Sequence, residues 1–134
     1  MFKHPLMTSN FVKSDFTKIL TLLKKKNPIL TQNKNVKLFE KKWSNWLGVK
    51  YSVFVNSGSS ANLITLAALK IFNKKKGKEI IVPSFTWISD IIAIIKNGFT
   101  PKFVDINLKN LCADEDQIIK NISNNTIALF LTHA

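Results

Sequence analysis

The pattern of this 134-residue chain predicts an α/β fold, a mostly parallel sheet covered by helices. Three observations carry that expectation. From Tyr51 onward, short apolar runs alternate with helix-patterned stretches in a β-α-β-α-β rhythm. The runs show little polar alternation, as strands buried on both faces do, and such burial is the habit of parallel sheets. Polar clusters follow the carboxyl ends of three of them, at Asn56 to Asn62, Pro83 to Asp90 and Asp105 to Asn107, and ligands of open α/β sheets gather on that edge.

Two helices are expected before the alternation begins. Ser14 or Asp15 can cap the first, over Phe16, Ile19, Leu20 and Leu23, whose three-and-four spacing makes one apolar face. The run Lys24 to Lys26, then Asn27 and Pro28, ends it. Thr31 to Asn35 reads as polar linker. The second helix spans about Val36 to Leu47, with Val36, Phe39, Trp43 and Trp46 or Leu47 facing inward and Gly48 as its stop. Next come a strand at Tyr51 to Val55, a helix at about Ser59 to Phe72, a strand at Glu79 to Val82, a helix at about Ile88 to Lys96 and a strand at Pro101 to Val104. Asp114 to Ile122 suggests a short helix and Thr126 to Leu131 a last strand. The chain stops directly after that run, so it is expected to be the N-terminal part of a larger domain.

The most telling segment is Asn56-Ser57-Gly58-Ser59-Ser60-Ala61-Asn62, set between an apolar run and a helix. Two readings stay open: a well-capped helix start, or an anion cup in which unpaired N–H groups and the helix dipole receive a phosphate. Gly58 permits a left-handed or crowded backbone. The hydroxyls of Ser57, Ser59 and Ser60 can cap the helix or donate to phosphate oxygens. At the next junction, Trp87 either packs in the core or presents its indole to a flat ring, which gains about 0.5–1.5 kcal/mol from an offset aromatic partner. A phosphate cup beside an aromatic plate suits a small planar phosphorylated cofactor, for which pyridoxal 5'-phosphate is the natural candidate.

The net charge of +12 by itself suggests a polyanion partner, and a Lys-rich module for nucleic acid or anionic lipid is the alternative from another class. The composition argues against it. All 20 basic residues are lysine, with no arginine for bidentate recognition of guanine or phosphate, and runs such as Lys24 to Lys26 and Lys74 to Lys76 sit at helix ends as solvated surface. A lone cysteine, Cys112, gives no internal disulfide and no Cys-cluster metal site, and His4 and His133 lack ligand-spaced partners. No signal segment or membrane-length apolar run is present, so the expected location is cytoplasmic, with neither nucleic acid nor membrane as partner.

The order of motifs resembles the DegT/DnrJ sugar aminotransferase family of fold-type-I pyridoxal phosphate enzymes. The resemblance runs through Leu30-Thr31, Phe39-Glu40, Leu47 to Tyr51, Asn56 to Ala61, Val82 to Trp87, Asn97 to Pro101 and Phe103 to Ile106, nearly the whole chain. It implies the N-terminal part of the aspartate aminotransferase-like large domain, with residues 1–50 a helical segment and 51–134 a partial cofactor-binding domain. Gly58, Ser59 and Ser60 are then the phosphate site and Trp87 the residue packed on the pyridine ring. Asp105 is ranked as loop-structuring, and Thr132-His133 resembles the start of the family's next active-site loop. The family's Schiff-base lysine and the aspartate facing the pyridinium nitrogen are expected beyond Ala134, so no residue here is assigned a catalytic role and none a metal. The implied activity is amino transfer to a nucleotide-linked keto sugar for glycan precursors. Glutamate is the implied donor, the full-length parent is implied to be a homodimer, and this stretch alone is expected to be inactive. A dehydratase subgroup, in which a histidine replaces the lysine and a sugar hydroxyl is lost, is the close alternative, and the phrase Val55 to Leu63 resembles it at least as well.

Overall fold

The computed structural model describes residues 10–74 and 76–132, which divide between Phe54 and Val55 into two compact units. The first unit holds helices α1 (Lys13–Leu23) and α2 (Lys34–Leu47). The N-terminus of α1 is fixed from inside the helix. Asp15, at its third position, accepts the Val12 N–H at 3.1 Å, while the Asp15 N–H donates to the Val12 carbonyl at 2.9 Å. Ser14 and Asp15 therefore both lie within the helix instead of capping it from outside. Helix α2 begins two residues before Val36 because Asn33, from the expected linker, accepts the Asn35 N–H at 2.8 Å. It ends at Gly48, whose φ of 74° is the left-handed conformation that closes helices.

Two expectations for this stretch are corrected. Tyr51 to Val55 forms no strand: an apolar run needs a neighbouring ladder to become one, and none pairs with it among the described residues. Instead, the Phe54 N–H donates to Glu40 Oε1 at 2.9 Å, and the Ser44 hydroxyl bonds that of Ser52 at 2.8 Å. Second, Phe39, Trp43, Trp46 and Leu47 do not enter a core. All are exposed, Trp46 by 73%, and only Ser44 of α2 is buried. The aromatics meet one another at the surface, Phe39 stacking on Trp43 at 5.9 Å and Trp43 tilted against Trp46 at 4.9 Å.

The second unit is the α/β layer. Helix α3 (Gly58–Phe72) is followed by β1 (Glu79–Pro83), α4 (Ile88–Lys96), β2 (Thr100–Val104), α5 (Glu115–Asn121) and β3 (Thr126–Leu129). The three strands are parallel, in the order β2-β1-β3. The central strand β1 is buried along almost its whole length, as its unbroken apolar sequence requires. Ile80 and Val82 pack with Leu66 of α3, Ala93 and Ile94 of α4, and Phe99 to make the core. Each fully buried Ile or Val there contributes about 1.5–3 kcal/mol relative to exposure, an upper figure because unfolded chains are partly collapsed. From β1 the chain moves outward to β2, then crosses back over β1 to β3. The topological switch therefore lies between the carboxyl ends of β1 and β3, where such sheets open a crevice. Among the described residues no helix is long and apolar enough to cross a membrane.

Candidate functional site

The opening of α3 is built by its cap. Ser57 adopts an extended backbone, its Oγ accepts the Ser60 N–H at 3.2 Å, and its carbonyl accepts the Ala61 N–H at 3.1 Å. The Ser57 hydroxyl in turn donates to Ser60 Oγ at 3.1 Å. The N–H groups of Gly58 and Ser59 are left without partners among the described residues, and no acidic residue in the first turn offsets the helix dipole. Gly58 corrects one expectation. Its φ is not positive and a Cβ there would meet no heavy atom within 4 Å, so neither strain nor protein crowding requires glycine. What glycine does is leave the space in front of two free amides open.

At the β1–α4 junction Trp87 occupies the N-cap of α4 and is 74% exposed, outside the core formed by the described residues. A groove of about 370 Å³ runs between the first turns of α3 and α4, walled by Ser59, Ser60 and Leu63 on one side and Ile88, Ser89 and Ile92 on the other. Of the four residues the sequence singled out, Ser59 and Ser60 line it, whereas Gly58 and Trp87 do not.

One residue went unremarked in the sequence except as the end of a polar cluster. Asp90, at the third position of α4, is 7% exposed and accepts hydrogen bonds from four side chains. Asn62 Nδ2 lies 2.8 Å and Ser89 Oγ 3.4 Å from Oδ1, and Thr86 Oγ1 lies 2.7 Å and Thr132 Oγ1 3.3 Å from Oδ2. Thr86 and Thr132 also bond each other at 2.6 Å, which joins the loops after β1 and β3 across the topological switch. The only advance signal was a carboxylate in the first turn of an apolar helix, which ordinarily reads as a complement to the dipole.

Asp105 behaves as a loop residue. It is exposed, its Oδ1 accepts the Ile106 N–H at 2.8 Å, and its carbonyl accepts the Asp114 N–H at 3.0 Å. No hydrogen bond among the described residues links it to the other two polar clusters. His133 lies outside the described residues, as does His4. Taken together, the α3 opening has the free donors and open approach that fit a phosphate, and Trp87 offers an uncovered aromatic face.

Comparisons with known proteins bear on the family and the fold. The profile of the DegT/DnrJ/EryC1/StrS aminotransferase family matches residues 12–134. A GDP-4-keto-6-deoxy-D-mannose 3-dehydratase of Yersinia pseudotuberculosis is 34% identical over 132 residues, covering 96% of this chain and 33% of that protein. A dTDP-3-amino-3,6-dideoxy-alpha-D-galactopyranose transaminase of Aneurinibacillus thermoaerophilus is 35% identical over 95 residues, covering 71% of this chain and 25% of that one. The solved structure of the E. coli GDP-4-keto-6-deoxy-D-mannose-3-dehydratase with bound hydrated PLP superposes with a TM-score of 0.84 at 34% identity, over 98% of this chain and 34% of the other. The chain thus spans about a third of the length of the relatives it matches. Its parallel sheet and flanking helices are those of the fold-type-I pyridoxal phosphate enzymes. The chain belongs to the DegT/DnrJ/EryC1/StrS aminotransferase family.

Proposed function

We propose that this chain supplies the phosphate turn and the ring plate of a pyridoxal phosphate site, in an enzyme that transfers an amino group from glutamate to a nucleotide-linked keto sugar. The observation that carries the reading is the opening of α3, where Gly58 and Ser59 present N–H groups unpartnered among the described residues, with no acidic residue in the first turn and open space beside Gly58. Those amides, with the Ser59 and Ser60 hydroxyls, hold the phosphate. The Trp87 indole covers one face of the ring and keeps water from it. When bound, the cofactor supplies an electron-withdrawing ring that stabilises negative charge at the carbon bearing the reacting amine. None of the lysines in this chain is given a proton-transfer role. In this reading the enzyme is cytoplasmic and homodimeric.

Loss of the sugar's 3-hydroxyl is a second reading, and one observation favours it. The match to a 3-dehydratase extends over 132 residues, whereas the match to the galactopyranose transaminase extends over 95. Offering the gene product, as its cell makes it, a nucleotide-linked 4-keto-6-deoxy sugar with glutamate separates the two, since one outcome is an amino sugar and the other a 3-deoxy sugar.

The cofactor assignment is tested by titrating pyridoxal phosphate into the gene product as its cell makes it, followed by equilibrium dialysis and by absorbance in the cofactor band. Gly58→Val fills the open approach, where an added Cβ meets nothing within 4 Å, and is expected to weaken binding about 10- to 150-fold, the worth of one charge-assisted hydrogen bond. Trp87→Ala is expected to weaken it about 2- to 12-fold, the worth of an offset ring contact. Equal affinity in wild type and both variants overturns the assignment.

A further inference from the structure

We propose that Asp90 is a positioning residue that sets the phosphate turn of α3 against the Trp87 loop and the end of β3. The inference rests on the cofactor reading above but concerns a residue to which that reading gives no part.

The bonds converging on Asp90 come from three separate segments. Asn62 belongs to α3, five residues after its cap, and bonds Oδ1 at 2.8 Å. Thr86 is the immediate neighbour of Trp87 and bonds Oδ2 at 2.7 Å. Thr132 follows β3, and its single hydroxyl proton is shared between Thr86 at 2.6 Å and Asp90 at 3.3 Å. Each carboxylate oxygen therefore serves a different pair of donors, and the two arms pull on different segments. Apolar packing is not directional, so Leu66, Ala93, Ile94 and their neighbours can bring α3 and α4 together without fixing rotation or slide. Hydrogen bonds are confined to a narrow range of distance and angle, so this carboxylate supplies what the packing lacks.

The electrostatics point the same way. Asp90 is buried, and no lysine pairs with it among the described residues. A buried carboxylate is tolerable only while its neutral donors remain in place, and a partly satisfied cluster is worse than an apolar one. Displacing any of the three segments therefore strands the carboxylate. The loops after β1 and β3 flank the topological switch, and two of the three segments, α3 and the Trp87 loop, carry the residues proposed to hold the cofactor.

The test compares three variants of the gene product as its cell makes it. Asp90→Leu removes every tie, with a bulkier side chain in its place. Asp90→Asn keeps the shape: the threonines still have an oxygen to donate to, and the Asn62 amide can turn over to accept from the new NH₂. Thr132→Val removes one arm at a partly exposed position and guards against failure of Asp90→Leu to fold. Without any ligand, the Gly58 and Ser59 amide and Trp87 indole N–H resonances are expected to move in Asp90→Leu and Thr132→Val and to stay near wild type in Asp90→Asn. With pyridoxal phosphate, Asp90→Leu is expected to bind about 2- to 150-fold more weakly, the usual span of coupling between groups in one network. Its circular dichroism per bound cofactor is also expected to change, and Asp90→Asn to recover most of both. A residue that only stabilises the fold lowers the urea midpoint and leaves those resonances and that dichroism alone. Unmoved resonances in Asp90→Leu and Thr132→Val overturn the positioning role even where the cofactor binds. A wild-type chain that takes up no cofactor overturns the functional reading instead, and the ligand-free resonances still decide for or against Asp90.

Discussion

Helices α4 and α2 both carry an apolar stripe, yet one is core and the other is surface. In α4, Ala93 and Ile94 are buried against β1, and the helix lies within a layer whose other side is a sheet. In α2, Phe39, Trp43, Trp46 and Leu47 share an exposed face, with aromatic rings that, among the described residues, meet one another and Phe54. Amphipathic spacing fixes which residues lie side by side on a helix; it is silent on what covers them. The difference predicts that energy and mutational sensitivity are concentrated in the sheet unit.

The sharpest test of that difference pairs Ile94 with Trp46. Ile94→Ala, at a site with no exposure, is expected to lower unfolding free energy by about 2–5 kcal/mol, through lost transfer energy and the cavity left behind. Trp46→Ala removes a far larger side chain, but one 73% exposed, and is expected to stay within about 0.5 kcal/mol of wild type. Urea unfolding curves of the two variants measure both. A loss at Trp46 equal to that at Ile94 breaks the comparison, because it means the aromatic face is stabilised by contacts as extensive as the core's.

The same contrast explains what could be read from the chain in advance. The helix Ile88 to Lys96 and the strands around Ile80 to Val82 and Pro101 to Val104 were legible because local pattern and tertiary burial agree there. The strand at Tyr51 to Val55 was misread because a ladder is a property of two segments, and only one is visible in any run of residues. The inward stripe of α2 failed for the same reason. At the candidate site, the Ser57 cap and the place of Trp87 at a helix start follow from local chemistry, whereas the choice between core and exposed indole does not. Asp90 does not, since it gathers Asn62 from 28 residues before it and Thr132 from 42 after it. A first-turn carboxylate looks alike whether it faces water or three converging segments.

Two glycines sharpen the comparison at intermediate size. Gly77 precedes β1, where a Cβ would stand 2.4 Å from the Asn125 carbonyl oxygen and 2.9 Å from Ile127 Cγ2, so backbone has to shift to admit it. Gly77→Ala is therefore expected to cost about 1–3 kcal/mol as overpacking. Gly48 has nothing within 4 Å and is held only by its φ of +74°. Gly48→Ala is expected to cost about 1–2 kcal/mol, the penalty of a left-handed residue bearing a Cβ. The two separate in a second measurement. Asn at Gly48 tolerates the left-handed region and is expected to recover part of the loss, whereas at Gly77 a larger side chain deepens it. Recovery by Asn at Gly77 breaks the assignment of crowding to the sheet unit.

The smallest expected effect concerns charge. Glu79, at the start of β1, is held below its ordinary pKa, first by the Asn125 side chain and then by the Lys102 charge and the Ser123 hydroxyl, against a partial desolvation that acts the other way. Lys102 Nζ lies 3.6 Å from its Oε2. A carboxyl whose folded pKa is lowered binds fewer protons in the native state than in the unfolded one. Its stabilisation is complete above the unfolded value and is lost as pH falls through the folded value. In the helical unit, Asp15 and Lys18 make a single pair at 4.0 Å with the lysine side chain 79% exposed, a geometry that contributes little in water. Urea midpoints recorded from neutral pH down to about pH 3, below the ordinary carboxylate range, are therefore expected to respond unequally. Glu79→Gln lowers the midpoint at neutral pH and flattens part of its acid decline, while Lys18→Ala leaves the curve close to wild type. An acid decline unchanged by Glu79→Gln means the strand's charge cluster is as loosely held as the helix pair, and the two units are electrostatically alike.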